Sequence, residues 1–221
     1  MTRVLNAGRK EPVSGETRSV VVLLHGYGAN GADLLGLADV LGEHLPDTLF
    51  IAPDAPETVP GAPNGYQWFP IPWMDNSSEE EAERGMEQAF DDLNAFLDAL
   101  MVDEDLEGEQ IVLLGFSQGT MMSLHVGPRR EDELAGIVAF SGRLIKPESL
   151  EDEVVTRPPV LLIHGDADEV VPPQSLPDAA EALQQAGWKE VYAHVMKGTG
   201  HGIAPDGLSV ALAFMRDKLR L

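Results

Sequence analysis

Ser117 stands in Gly115-Phe-Ser-Gln-Gly119, directly after the apolar run Ile111-Val-Leu-Leu114 and at the head of a segment with helical spacing. A strand that turns sharply into a helix lifts the hydroxyl at the turn above the sheet edge and points a helix N-terminus at any negative charge that develops there. So tight a turn needs small flanking residues, which Gly115 and Gly119 supply. A serine hydroxyl is a poor nucleophile until a base takes its proton, so a histidine and an orienting carboxylate should follow in the order Ser, Asp, His. Asp168 lies in His164-Gly-Asp-Ala-Asp-Glu-Val-Val-Pro172, just past the apolar run 160–163. That is the carboxyl end of an expected strand, where α/β sites are assembled. Asp166 is its rival in the same turn, with backbone hydrogen bonding as its ordinary role. His201 lies in Lys197-Gly-Thr-Gly-His-Gly202, a glycine-rich loop that core contacts do not explain. His44, His125 and His194 fall in helical or strand segments, while His25 and His164 each precede a glycine at a strand end; all five read as structural.

One motif competes with this chemistry. Gly26-Tyr-Gly-Ala-Asn-Gly31 matches the dinucleotide fingerprint G-x-G-x-x-G, and Asp54 lies near the place of a ribose-binding acid. An NAD-binding oxidoreductase, however, leaves the Ser117 turn, Asp168 and His201 without a role. In a hydrolase the same loop serves as a backbone N–H donor to an oxyanion.

The elements that must position these residues are visible as pattern. Apolar runs rich in β-branched residues at 19–24, 48–52, 110–114 and 160–164, with weaker ones at 135–140 and 190–195, read as strands. Between them the segments 31–44, 79–101, 117–128, 173–186 and 204–219 carry helical spacing. Alternation of the two implies an α/β fold, a mostly parallel sheet with helices on both faces. We expect one catalytic domain over 19–221, preceded by a segment, 1–18, able to add an edge strand. The Pro- and Gly-rich stretch 53–72 reads as irregular, and its length suggests a functional loop.

Composition narrows the function classes. The 221 residues contain no cysteine, which removes thiol catalysis, Cys-ligated zinc and disulfides. With 15 basic against 37 acidic side chains the net charge is −22, which disfavours nucleic acid and anionic membranes as partners. No apolar run reaches the length of a membrane span or a signal-peptide core, so no stable membrane insertion and a cytoplasmic location are expected.

Taken together, His25-Gly-Tyr-Gly28, the Ser117 turn, the segment 164–172 and Gly200-His-Gly202 resemble the phospholipase/carboxylesterase family of α/β-hydrolases, which includes acyl-protein thioesterases. The resemblance runs from about residue 20 to residue 219. It implies a single-domain α/β-hydrolase fold and a carboxylic ester hydrolase forming an acyl-enzyme. Ser117 would be the nucleophile, His201 the base and acid, and Asp168 the orienting group. The backbone N–H groups of Tyr27 and Gln118 would be the oxyanion donors. Trp68 and Phe69 are similar to the family's Trp-Phe pair beside the site. With Trp73 they would form either an apolar wall for the acyl group or a core plug. Tyr27 and Thr120 stand where many members carry Leu and Gly, which leaves the acyl-chain preference open. We expect short to medium acyl esters, with a thioesterase or lysophospholipase as the alternative. No metal or organic cofactor is implied, and a monomer or homodimer is expected.

Overall fold

The strand Ser19–Leu24 (β2) is buried at every position, as are Thr48–Pro53 (β3), Gly136–Phe140 (β7) and Val160–Gly165 (β8). Strands that are apolar on both faces can be stabilised only between two layers, and that requirement sets the architecture. The computed structural model describes residues 2–221. Its main sheet has seven strands in the order β1-β3-β2-β6-β7-β8-β9, the others being Ala7–Lys10 (β1), Ile111–Phe116 (β6) and Val191–Met196 (β9). Only β1, at one edge, runs antiparallel. The expected fold class is the one that forms.

Alternation along the strands feeds two cores. Val21, Leu23, Val112, Leu114, Val138, Phe140, Leu161 and Ile163 point to one face. There they meet Gly31–Leu35 (α1), Leu37–Leu41 (α2) and Pro205–Lys218 (α8) through Leu34, Ala38, Leu41, Ala211 and Met215. Val20, Val22, Leu24, Ile111 and Leu113 point the other way, onto Leu93, Leu97 and Leu100 of Glu79–Glu104 (α4) and Met122 of Gln118–Val126 (α5). Ile137, Ala139, Val160 and Leu162 continue that face onto Ala179 and Leu183 of Ser175–Gln185 (α7). From β2 the chain first adds β3 on one side and later β6 on the other, so the strand order reverses at β2/β6. Ligands of open α/β sheets bind in the crevice at such a reversal, beyond the carboxyl ends of the strands.

Three local expectations are corrected. The segment 31–44 is two five-residue helices broken at Gly36, a poor helix former that caps α1 and opens α2. The stretch 53–72 is not irregular: Glu57–Val59 (β4) and Ala62–Gln67 (β5) form an antiparallel hairpin. Its turn is Pro60-Gly61, with Gly61 at φ 82° in the left-handed region that a Pro-Gly turn uses. After the short helix Pro72–Asp75 (α3), α4 opens on a reciprocal cap between Ser78 and Glu81 and runs three residues further than expected, to Glu104. Among the described residues no helix is long and apolar enough to cross a membrane.

Candidate active site

Ser117 joins β6 to α5 at φ 54°, ψ −113°, a sparsely populated conformation for a residue with a side chain. Surrounding contacts hold it there. The Ser117 N–H donates to the Phe140 carbonyl at 2.9 Å, and the Ser117 carbonyl accepts from Met121 N–H at 3.2 Å. The glycines have steric reasons. A Cβ on Gly119 would lie 1.9 Å from the Leu24 carbonyl oxygen, and one on Gly115 would lie 2.5 Å from the Gly119 carbonyl oxygen. Thr120 Oγ1 sits between the Gly115 and Phe140 carbonyl oxygens, at 2.8 and 2.7 Å, bracing the turn from beneath.

The loop after β9 brings His201 over this turn, with its ring 5.0 Å from that of Phe116. His201 Nε2 lies 3.0 Å from Ser117 Oγ, and Nδ1 lies 2.7 Å from Asp168 Oδ2. With Nδ1–H donated to the carboxylate, Nε2 carries the free lone pair that faces the hydroxyl. The Asp168 side chain is fully buried. Its Oδ1 accepts the Val170 and Val171 N–H groups, each at 2.9 Å. Burial alone would raise this carboxyl, but hydrogen bonds from His201, Val171 and Val170 more than offset it and hold the group below the ordinary aspartate range. Asp166 does not reach the imidazole. Its Oδ1 accepts from Gly198 N–H at 2.6 Å, tying the turn after β8 to the loop that leads to His201.

Beside Ser117 the backbone N–H groups of Tyr27 and Gln118 have no acceptor among the described residues, and Gly26 lies against the Ser117 side chain. Burial, and then the Asp75 carboxylate, push the Tyr27 phenol up. The dinucleotide fingerprint dissolves in the same loop. A Cβ on Gly31 would lie 2.3 Å from the Ala52 carbonyl oxygen, so this glycine serves helix–strand contact. Asp54 accepts Gly31 N–H at 2.9 Å instead of facing a ribose. His25 is neutral structure: Nε2 accepts from Ala55 N–H, Nδ1 donates to the Gly26 carbonyl, and burial pulls the ring below the ordinary histidine range.

The three aromatic residues expected to meet substrate separate. Trp68 is fully buried, with Nε1 donating to the His25 carbonyl at 2.9 Å, so it is a core plug and not a wall. Phe69 and Trp73 line an open groove of about 270 Å³ together with Ile71, Met86, Arg143 and Lys146. The pattern missed two supports. The Gln118 side chain accepts from Trp68 N–H at 2.9 Å and donates to the Phe69 carbonyl at 2.7 Å, fixing the groove wall to the Ser117 turn. His164, set aside as structural, places Nε2 3.3 Å from Asp168 Oδ2 and 2.9 Å from the Val171 carbonyl oxygen. Its place at a strand end four residues before Asp168 was the available signal. Among the described residues no group of three or more His, Asp or Glu side chains could hold a metal ion.

Comparison with known proteins agrees with this picture. The family model for Phospholipase/Carboxylesterase matches residues 10–219. The chain is 43% identical to the esterase PE8, whose crystal structure matches with a TM-score of 0.92 over 98% of this chain and 100% of that one. It is 29% identical to acyl-protein thioesterase 1 of Saccharomyces cerevisiae over 219 aligned residues, 91% of this chain and 93% of the relative. The crystal structure of Zea mays acyl-protein thioesterase 2, at 24% identity, shares the fold with a TM-score of 0.77 over 97% of this chain and 99% of that one.

Proposed function

The chain belongs to the phospholipase/carboxylesterase family of α/β-hydrolases, and from that premise we propose that it hydrolyses carboxylic esters of short to medium acyl chains. It is a serine hydrolase of the carboxylesterase and acyl-protein thioesterase type, and the oxidoreductase alternative has no support. In our reading Ser117 Oγ attacks the ester carbonyl while His201 Nε2 takes its proton. The Tyr27 and Gln118 N–H groups hold the oxyanion, and His201 returns the proton to the leaving alcohol. Water, activated by the same imidazole, then releases the acid from the acyl-enzyme. The observation that carries this reading is the continuous path from Ser117 Oγ through His201 to Asp168, at 3.0 and 2.7 Å. Phe69 and Trp73, which line the groove tied to the Ser117 turn through Gln118, would bind the acyl chain.

Ser117→Ala should abolish ester turnover and covalent labelling by a fluorophosphonate while the circular dichroism spectrum stays native. Labelling that persists in the variant would overturn the assignment. A panel of p-nitrophenyl esters of rising chain length, run beside thioesters and lysophospholipids, separates an esterase from a thioesterase or lysophospholipase. A cytoplasmic location and a monomer or homodimer belong to the same proposal, tested by cell fractionation and light scattering.

A further inference from the structure

Arg143 is a cation without a carboxylate, in a chain that carries 37 acidic side chains against 15 basic ones. The other cation of the same groove, Lys146, is paired with Glu83. Among the described residues Arg143 makes no ion pair. Its guanidinium carbon lies 5.3 Å from the centre of the Trp73 ring. A guanidinium stacked on an indole engages its flat face and leaves its edge N–H groups free, in the fork that matches a carboxylate.

The residue is also held in place beside the nucleophile. Gly142, which precedes it, is wedged under the Ser117 turn: a Cβ there would lie 2.7 Å from the Ser117 carbonyl oxygen and 2.4 Å from Thr120 Cβ. The opposite wall of the groove, Phe69, is tied to the same turn by the Gln118 side chain. Arg143 and Trp73 thus meet across a groove whose two walls are each anchored to the Ser117 turn. The other charges lining it are accounted for. Lys146 and Glu83 neutralise each other at 2.5 Å, and Glu79 sits in the first turn of α4, where the helix dipole favours a carboxylate.

We propose that Arg143 selects esters bearing a carboxylate a few bonds from the scissile carbonyl, gripping it with the free N–H edge while the apolar segment lies along Phe69 and Ile71. This rests on the hydrolase reading above. The acidic surface opposes an anion at long range, but at physiological ionic strength charges beyond about 8 Å are largely screened, whereas a direct contact is not.

The carboxylate can reside on either side of the ester, and two substrate pairs distinguish the cases. On the acyl side, the p-nitrophenyl half-ester of adipic acid is compared with p-nitrophenyl hexanoate. On the alcohol side, the butanoyl ester of 4-hydroxybutanoic acid is compared with butyl butanoate in a pH-stat. Each is read as the ratio of kcat/KM, charged over neutral, at about 0.15 M salt. In at least one pair Arg143→Gln should lower the ratio about tenfold, the worth of one partly exposed charge-assisted hydrogen bond. Arg143→Lys keeps the charge but not the fork and should restore only part of it. Ratios that are the same in wild type and Arg143→Gln for both pairs overturn the proposal while leaving the hydrolase reading intact. Wild-type protein that cleaves none of the four esters overturns the hydrolase reading, and this proposal with it.

Discussion

In the proposed mechanism an imidazole can take the proton of Ser117 only if its other nitrogen is already committed as a donor, and Asp168, 2.7 Å from His201 Nδ1, is the group placed to hold it so. Replacing Asp168 by Asn keeps the shape but offers an N–H where an acceptor is needed, turning the ring into the wrong tautomer; kcat should fall by about 10⁴. Asp166→Asn removes only a turn contact to Gly198 and should cost far less, so steady-state kinetics of the two variants decide which carboxylate orients His201. A second residue-scale effect lies outside the site. His125 is buried on α5, its Nδ1 has no partner, and its ring meets Phe90 edge-on. Burial, with Arg129 nearby, pushes the ring down to about 4. As pH falls below the unfolded-state value of about 6.5, the unfolded chain takes a proton that the folded chain refuses. Stability is therefore lost progressively until about pH 4, by about 3 kcal/mol in all. His125→Leu should flatten that part of a stability profile measured by urea denaturation at several pH values. An unchanged slope would show that the loss arises elsewhere.

At the scale of elements, the hairpin β4–β5 and the N-terminal segment secure each other through α4. The Arg3 backbone N–H and Nε both donate to the fully buried Asp92 carboxylate of α4, at 2.6 and 2.7 Å, and Nη1 reaches Glu57 of β4 at 3.2 Å. Arg3→Ala strips a buried carboxylate of its cation and should cost about 2 kcal/mol, because backbone N–H and Gln88 still satisfy part of it. The urea midpoint should drop at constant m-value; an unmoved midpoint would show that this latch contributes nothing. The same region marks where the sequence could not be read. The Ser117 turn was legible because its backbone geometry demands glycines that a sequence displays, and His201 because a loop histidine with glycine on both sides is hard to explain by packing. The hairpin was hidden because its strand Ala62–Gln67 carries Pro63 and Gly65, so the turn signal at Pro60-Gly61 merged into a longer breaker-rich stretch. Trp68 stayed open between wall and plug for another reason. Whether an aromatic faces substrate or core depends on tertiary partners, here the His25 carbonyl and the Gln118 side chain, and no local pattern encodes them.

For the whole molecule, the sheet ends differently on its two sides. One edge is β1, which carries Arg9 and Lys10. The other is β9, where Tyr192 and Val195 are exposed and, among the described residues, no further strand pairs. An open edge is a template for another chain, and charged residues along it discourage such pairing. On β9 the guards are sparse: His194, held by Asp206 at 2.9 Å, interrupts Val191-Tyr-Ala-His-Val-Met196, with Lys189, Glu190 and Lys197 at its ends. His194→Val would leave an uninterrupted apolar ribbon, and that variant should scatter light and bind thioflavin T at concentrations where the parent stays clear. The net charge of −22 bears on this edge as well. Like charge on every copy opposes growth at the unfinished side, and concentrated salt, by screening that repulsion, should lower the concentration at which the His194→Val variant scatters light.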